Sequence, residues 1–358
     1  MKNYLSINSL IPSFNKILNV PGDKSLSIRW VLLASQAIGK SKAYNLLESD
    51  DVISAIVSMR KLGVEILKRK SCYEINGVGL SGFRHNNNVN LDAGNSGTFA
   101  RLLCGALAGN ITNVKVTGDS SLSKRDFSRV VKPLELFGIN IKTNKNKLPI
   151  TIKGSKYLRP IFYKEDKGSA QVKSSILLAS LNTPGQTIVK SKISRNHTEL
   201  MFKNCLKIPL KIKRSNGYEI IKVNGKTNYR GFNYNIPGDI SSAAFFIALT
   251  ILANKSRLKM KNINYNKSRI GIIEILKKMR AKIKISNIKN YKGEKVADIS
   301  VTSSKNLIGI NCPKSLNTKS IDEFLIIFLV CAKAKGISKF NGISELRQKE
   351  SDRLKMAA

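Results

Sequence analysis

Val20-Pro-Gly-Asp-Lys-Ser-Leu-Ser27 returns later in the chain as Ile236-Pro-Gly-Asp-Ile-Ser-Ser-Ala243. An apolar run follows each copy, over 28–37 and 244–252. Pro and Gly punctuate a chain and Asp caps a helix, so each copy reads as a turn that opens an apolar helix. Two such copies imply two homologous halves, the second starting near Ile236. A coarser repeat runs through both halves: an amphipathic helix, a small residue or break, then a strand. It is plain in Met59-Arg-Lys-Leu-Gly-Val-Glu-Ile66 and Leu134-Glu-Leu-Phe-Gly-Ile-Asn-Ile141, and weaker in Asn204-Cys-Leu-Lys-Ile-Pro-Leu210 and Lys278-Met-Arg-Ala-Lys-Ile283. The spacing of about 70 residues exceeds that of a solenoid and suits a compound α/β unit with several strands and two helices. A third echo pairs Glu48-Ser-Asp-Asp51 with Glu350-Ser-Asp-Arg353, each opening a helix. The chain ends at Ala358, so the last unit is expected to be incomplete.

Apolar periodicity or a buried run predicts helices over 25–37, 51–61, 98–107, 126–136, 170–181, 198–205, 241–252, 268–279 and 322–335. Short β-branched strands lie between them, such as 114–117 and 150–153. The class is mixed α/β, and 358 residues suffice for two domains.

Composition narrows the function. The longest apolar stretches, at 243–253 and 324–332, are too short to span a membrane, and no signal-peptide pattern opens the chain. A cytoplasmic site is expected. Five scattered cysteines form no C-x-x-C pair, and only His85 and His197 are present, which disfavours a disulfide framework and a metal centre. Buried free thiols are expected. The net charge of +39 is spread along the chain, mostly as Lys, without a nucleic-acid-binding signature. Its expected consequence is long-range attraction of small anions rather than nucleic-acid binding.

Several helix starts combine small polar residues with a nearby cation. They are Gly22-Asp-Lys-Ser25 with Arg29, Gly94-Asn-Ser-Gly-Thr98 with Arg101, and Gly118-Asp-Ser-Ser121 with Lys124 and Arg125. Gly168-Ser-Ala-Gln171 with Lys173 and Ser194-Arg-Asn-His-Thr198 complete the set. Unpaired amides and the helix dipole favour anions there. Any one alone is ordinary capping; five in one half point to a ligand with several negative groups. Gly39-Lys40-Ser41 has Ala34 where a phosphate-binding loop needs Gly, and no dinucleotide G-x-G-x-x-G is present. Asp322, taken alone, reads as a helix N-cap, and Lys349 to Arg353 as a solvated helix start.

Seven segments then stand together. They are Val20-Pro-Gly-Asp-Lys-Ser-Leu-Ser-Ile-Arg29, Gly94-Asn-Ser-Gly-Thr98, Lys124-Arg125, Ser169-Ala-Gln171, Ser194-Arg-Asn-His-Thr-Glu199, Ile321-Asp-Glu323 and Leu346-Arg-Gln-Lys-Glu-Ser-Asp-Arg353. In order and spacing they resemble the signature segments of the EPSP synthases, across essentially the whole chain. The resemblance implies a two-domain enolpyruvyl-transferase fold, an inside-out α/β barrel whose domains repeat a βαβαββ unit. It places a first domain at 20–236, on the shikimate 3-phosphate side, and a second at 1–19 plus 237–358.

The implied reaction is that of the shikimate pathway in aromatic amino acid biosynthesis. The enolpyruvyl group of phosphoenolpyruvate passes to the 5-hydroxyl of shikimate 3-phosphate, and phosphate is released. The resemblance further implies no cofactor, no metal, and a monomer. By the same likeness, Lys24 touches both substrates, and Ser25 and Arg29 hold the shikimate carboxylate. Ser169 and Ser194 hold its phosphate, Gln171 lies between the substrates, and Lys349 contacts the ring side. Asn95, Gly97, Arg125 and Arg353 cradle phosphoenolpyruvate. Asp322, which also faces the acceptor, and Glu350 match the family's acidic pair and take the acid–base roles.

Two departures matter. Asp126 follows Arg125 where the family usually has Pro, and a carboxylate there is expected to weaken the hold of Arg125 on phosphoenolpyruvate. The family's Asp-His-Arg segment and a later Lys do not occur before Ala358, so an inactive truncated homologue is one alternative. The other is the sister UDP-N-acetylglucosamine enolpyruvyl transferase, which carries a reactive Cys in the loop that here reads Gly118-Asp-Ser-Ser-Leu-Ser-Lys-Arg125, without Cys.

Overall fold

The computed structural model describes residues 11–349 and 351–358. Strand β1 (Asn15–Leu18) comes first. The next elements are α1 (Lys24–Ser35), β2 (Ile38–Tyr44), α2 (Asp50–Lys61), β3 (Glu65–Lys68) and β4 (Cys72–Val78). Then come β5 (Val89–Asp92), α3 (Gly97–Ala106), β6 (Val114–Thr117), the short α4 (Ser120–Ser123), α5 (Ser128–Leu136), β7 (Asn140–Asn144) and β8 (Lys147–Lys153). A third series is β9 (Phe162–Glu165), α6 (Ala170–Leu181), β10 (Gln186–Lys192), α7 (His197–Asn204), β11 (Leu210–Ser215) and β12 (Tyr218–Asn224). Strand β13 (Tyr234–Asn235) leads to α8 (Ile240–Leu252), β14 (Arg257–Asn264), α9 (Gly271–Lys278), β15 (Lys282–Tyr291) and β16 (Glu294–Thr302). Helices α10 (Phe324–Cys331) and α11 (Arg353–Ala357) follow.

The strands form four sheets with one plan. Their orders are β13-β2-β4-β3, β5-β6-β8-β7, β9-β10-β12-β11 and β1-β14-β16-β15. In each, the first two strands are parallel and the third pairs antiparallel with the second; β3, β7 and β11 then pair antiparallel at the sheet edge. In the sheets of β5 and β6 and of β9 and β10, a helix joins the parallel pair, as the crossover between parallel strands requires. This is the βαβαββ repeat, and it accounts for the spacing of about 70 residues.

The echo at Val20 and Ile236 has a topological meaning. Strand β1 precedes α1 in the chain yet pairs with β14, and β13 precedes α8 yet pairs with β2. The chain therefore divides into two compact units: Pro21–Pro237 with Asn290–Glu294, and Gly238–Lys289 with Lys295–Ala358 and the residues up to Val20. In each echo Asp caps the helix behind it. Asp23 accepts from the Leu26 amide at 2.9 Å and Asp239 from the Ser241 amide at 2.8 Å. Gly22 is needed for close approach, since a Cβ there would lie 2.0 Å from the Asn45 carbonyl oxygen.

In the larger unit α1, α3 and α6 form the centre. Residues Leu26 to Ser35 of α1 and Val172 to Leu181 of α6 are buried on every side. These helices therefore show apolar runs rather than amphipathic stripes. Trp30, Phe99, Phe127, Phe137 and Phe202 are fully buried in the same core. In the smaller unit α8 and α10 are equally apolar, but Phe245, Leu249, Leu325 and Leu329 are exposed. One four-stranded sheet belongs to that unit among the described residues.

The helix predictions hold, with shifted ends. The predicted 322–335 contracts to Phe324–Cys331 and 268–279 to Gly271–Lys278. Asp322 is not an N-cap: Glu323 holds that position, and Asp322 lies in the preceding turn. Cys104 and Cys312 are buried thiols, whereas Cys72, Cys205 and Cys331 are only half-buried.

Candidate active site

The predicted site residues of the larger unit gather at the N-terminal ends of its helices. From the first turn of α1, Lys24 pairs with Asp51 at 2.7 Å, where α2 begins. One turn on, the Arg29 guanidinium is buried and reaches two other helices. It donates to Thr198 Oγ1 on α7 at 2.8 Å, to Ser174 Oγ on α6 at 3.1 Å, and to the Ser25 carbonyl at 2.9 Å. Burial lowers its pKa to about 10, partly opposed by the Glu199 carboxylate.

Gln171 ties α6 to α3. Its Nε2 donates to Thr98 Oγ1 at 3.0 Å, and its Oε1 accepts from Arg101 Nη1 at 3.1 Å. Arg101 also donates to the Gly97 and Asp126 carbonyls, at 3.2 and 3.3 Å, and lies 4.6 Å over the Phe127 ring. Burial and the nearby Arg125 lower its pKa to about 10. Arg125 Nη2 donates to Asn95 Oδ1 at 3.3 Å, and Asn95 Nδ2 donates to Asp119 Oδ2 at 2.5 Å. That bond is the leading reason the Asp119 carboxyl titrates below its usual range. A Cβ on Gly97 would stand 2.7 Å from Arg101 Nη1 and 2.9 Å from Arg125 Nη1. Gly97 is thus the floor on which two guanidinium groups meet.

One of the five helix starts is filled from within the chain. The loop before α6 looked open to an outside anion, but it is filled by the protein's own Glu165. That carboxylate accepts from the amides of Lys167, Gly168 and Ser169 at 3.2, 2.6 and 2.9 Å, and pairs with Arg129 at 3.0 Å. Ser169 Oγ accepts from the Val172 amide at 3.4 Å. Asp23, Ser96 and Asp119 likewise cap α1, α3 and α4. What remains for a ligand is mainly side-chain cation and hydroxyl. Ser194 Oγ is buried with no hydrogen-bond partner among the described residues.

Asp126 also departs from expectation. Its carboxylate accepts from Ser128, from the amide at 3.1 Å and the hydroxyl at 2.6 Å, ahead of α5. A short polar side chain bonding its own backbone two residues on is a familiar turn device, and here it occupies both carboxylate oxygens. Asp126→Ala should therefore change the affinity of the Arg125 site for an anion by no more than about threefold, the scale of an exposed charge. A larger change in measured anion binding would show that the carboxylate acts on Arg125.

In the smaller unit the predicted residues converge on Asp322. Lys349 Nζ lies 3.6 Å and Arg353 Nη1 3.7 Å from Asp322 Oδ1. The neighbouring Glu323 is buried and accepts from Ser241 Oγ at the start of α8. Ser241 Oγ also accepts from Arg269 Nη2 at 2.8 Å, which pairs with Asp239 at 3.3 Å. Lys349 and Arg353 are therefore not a solvated pairing within one helix. Asp352 caps α11 through the Lys355 amide at 3.0 Å. Glu350 lies outside the described residues.

A protein-family model described as EPSP synthase (3-phosphoshikimate 1-carboxyvinyltransferase) matches residues 11–358. The chain belongs to the EPSP synthase family. This is a transferase family of the shikimate pathway. A 3-phosphoshikimate 1-carboxyvinyltransferase of Zymomonas mobilis is 40% identical over 350 residues, covering 97% of this chain and 77% of the relative. One from Legionella pneumophila is 42% identical over 339 residues, covering 94% and 77%. The solved EPSP synthase of Acinetobacter baumannii superposes with a TM-score of 0.84 at 37% identity, covering 96% of this chain and 77% of that one. The enolpyruvyl transferase NikO of Streptomyces tendae shares the fold, with a TM-score of 0.66 at 12% identity over 90% of this chain and 74% of that one. Among the described residues of this EPSP synthase family member, no helix is long and apolar enough to cross a membrane.

Sequence reasoning left several site-shaping residues out. Asp51, Ser174 and Glu165 each meet a functional group only through the fold. Arg101 was legible as a cation near a helix start, but its bridge from Gln171 to Gly97 was not.

Proposed function

We propose that the chain transfers the enolpyruvyl group of phosphoenolpyruvate to the 5-hydroxyl of shikimate 3-phosphate, releasing phosphate. Beyond family membership, one observation carries this reading. Lys24, Arg29, Arg101 and Arg125 crowd the helix starts of one unit, with Gln171 bonded between α6 and α3. Both substrates carry a phosphate and a carboxylate, and guanidinium groups suit both by paired donation.

In this reading Ser25 and Arg29 hold the acceptor carboxylate, and Ser169 and Ser194 its phosphate. Lys24 and Gln171 touch both substrates. Asn95, Gly97, Arg125 and Arg353 hold the donor, and Lys349 contacts the acceptor ring. The donor methylene gains a proton as the acceptor oxygen bonds to the adjacent carbon and the hydroxyl proton passes to a base; the carbon–phosphate oxygen bond then breaks, phosphate leaves, and the new methyl group gives up a proton to restore the double bond. Asp322 and Glu350 are the carboxylates assigned to that work. Cationic side chains offset the charge that builds on the departing phosphate. The loop before α5 carries no cysteine, so the covalent-thiol feature of the sister transferase has no counterpart there.

The test is phosphate release with both substrates present and each omitted in turn. Release that needs both, with an enolpyruvyl product found by mass spectrometry, is expected. No release with both present would overturn the assignment of activity to this chain.

A further inference from the structure

Lys173 is a fully buried lysine that the proposed reaction does not use. Its ammonium lies 2.6 Å from Glu199 Oε1 on α7 and is also bonded to Glu219 Oε1 on β12. Both carboxylates are as buried as the lysine. Burial disfavours the ammonium, but the two carboxylates outweigh it and its pKa is raised. The second oxygen of Glu219 lies 3.6 Å from Arg214 Nε. The second oxygen of Glu199 is buried with no hydrogen-bond partner among the described residues.

The residues next to this pair are Ser174 and Thr198. They bond each other at 2.8 Å, and both accept from Arg29. Two links thus run side by side between α6 and α7, one ionic and one hydroxylic. Among the described residues Arg29 donates only to neutral oxygens: two hydroxyls and the Ser25 carbonyl. Glu199 is the carboxylate whose field acts on Arg29 most strongly. A buried guanidinium ordinarily pairs with a carboxylate within its reach, because an unpaired buried charge is costly.

We propose that Lys173 is a positioning residue that holds the Glu199 carboxylate away from Arg29, so that the Arg29 charge stays available to the acceptor carboxylate. This rests on the reading of Arg29 given above. Glu219 plays a different part: it completes the charge balance around Lys173 from the β12 side and has Arg214 beside it. The two glutamates are alike in burial and unlike in reach, and only Glu199 sits beside the Arg29 ligands.

Two double variants with the same net charge separate these roles. Lys173→Met with Glu219→Gln leaves Glu199 without its lysine, and it should turn to Arg29. Binding of shikimate 3-phosphate, measured by calorimetry, should weaken about thirtyfold, the worth of one charge-assisted bond. Lys173→Met with Glu199→Gln removes the competitor and should keep binding within about threefold. The single variant Glu199→Gln, the mildest change, should do the same. Equal binding in the two double variants would overturn the proposal, and so would a comparable loss in Glu199→Gln. Wild-type turnover of shikimate 3-phosphate with phosphoenolpyruvate tests the underlying reading separately. If wild type neither binds nor turns over the acceptor, that reading has failed; if it does both while the variants do not diverge, only the role of Lys173 has.

Discussion

Asp322→Asn should lower kcat by a factor of about 10² to 10⁴, the usual worth of a placed acid or base. The substitution keeps the shape of the side chain and removes its ability to exchange a proton. Asp322 is partly exposed, in the turn before α10, so its fold contribution is small. The turn itself is held from below. Glu323 is buried against Ser241, and Arg269 and Asp239 complete that network. Asparagine at 322 should therefore leave the melting temperature nearly unchanged. Lys349 and Arg353 both approach Asp322 Oδ1, so the carboxylate could act only as their counter-ion. In that case the variant would change the KM values and spare kcat. Single-turnover kinetics with both substrates saturating decide this, and a kcat within a few-fold of wild type would remove Asp322 from the acid–base assignment.

Gly105→Val should cost about 3 kcal/mol or more, because overpacking at a rigid contact forces backbone shifts. Gly105 lies on α3 where it meets α6. A Cβ there would stand 2.0 Å from the Ser175 carbonyl oxygen and 2.9 Å from Ser175 Oγ. The first atom is main chain inside a helix and cannot turn aside. The two helices would have to part by about an ångström at the centre of the larger unit, where packing is close and interiors resist such gaps. The same helices carry Thr98 and Gln171, whose bond joins their N-terminal ends. The melting temperature should fall by roughly 6–12 °C, on the scale expected for a unit of this size. Gly105→Ala should fall in the same direction by less. An unchanged melting temperature in the valine variant would mean that the α3–α6 contact is looser than this geometry.

Much of the site was legible as positions. The residues of Lys24 to Arg29, Gly94 to Thr98, Ser169 to Gln171 and Ser194 to Glu199 are local motifs at helix starts, and the helices begin within a few residues of where periodicity put them. What those motifs lacked was direction. Gly168 and Ser169 looked like an anion cradle because a sequence cannot say whether a carboxylate fills it; Glu165 does. Asp126 reads as a neighbour of the Arg125 charge because adjacency in sequence suggests contact, whereas its side chain bonds Ser128.

The sequence by itself determined the repeat, the pairing of the two halves, the family and the helices that carry the site. These follow from local patterns of apolar period, capping and small residues, which each segment carries on its own. The tertiary structure alone decided that β1 and β13 exchange sheets, and that Arg29 reaches Thr198 and Ser174 across the chain. It alone placed the fully buried Lys173 between two glutamates. The reason is physical: a strand edge accepts any partner of suitable register, and a charge any opposite charge within reach. Which one it meets is settled by packing among residues far apart in sequence.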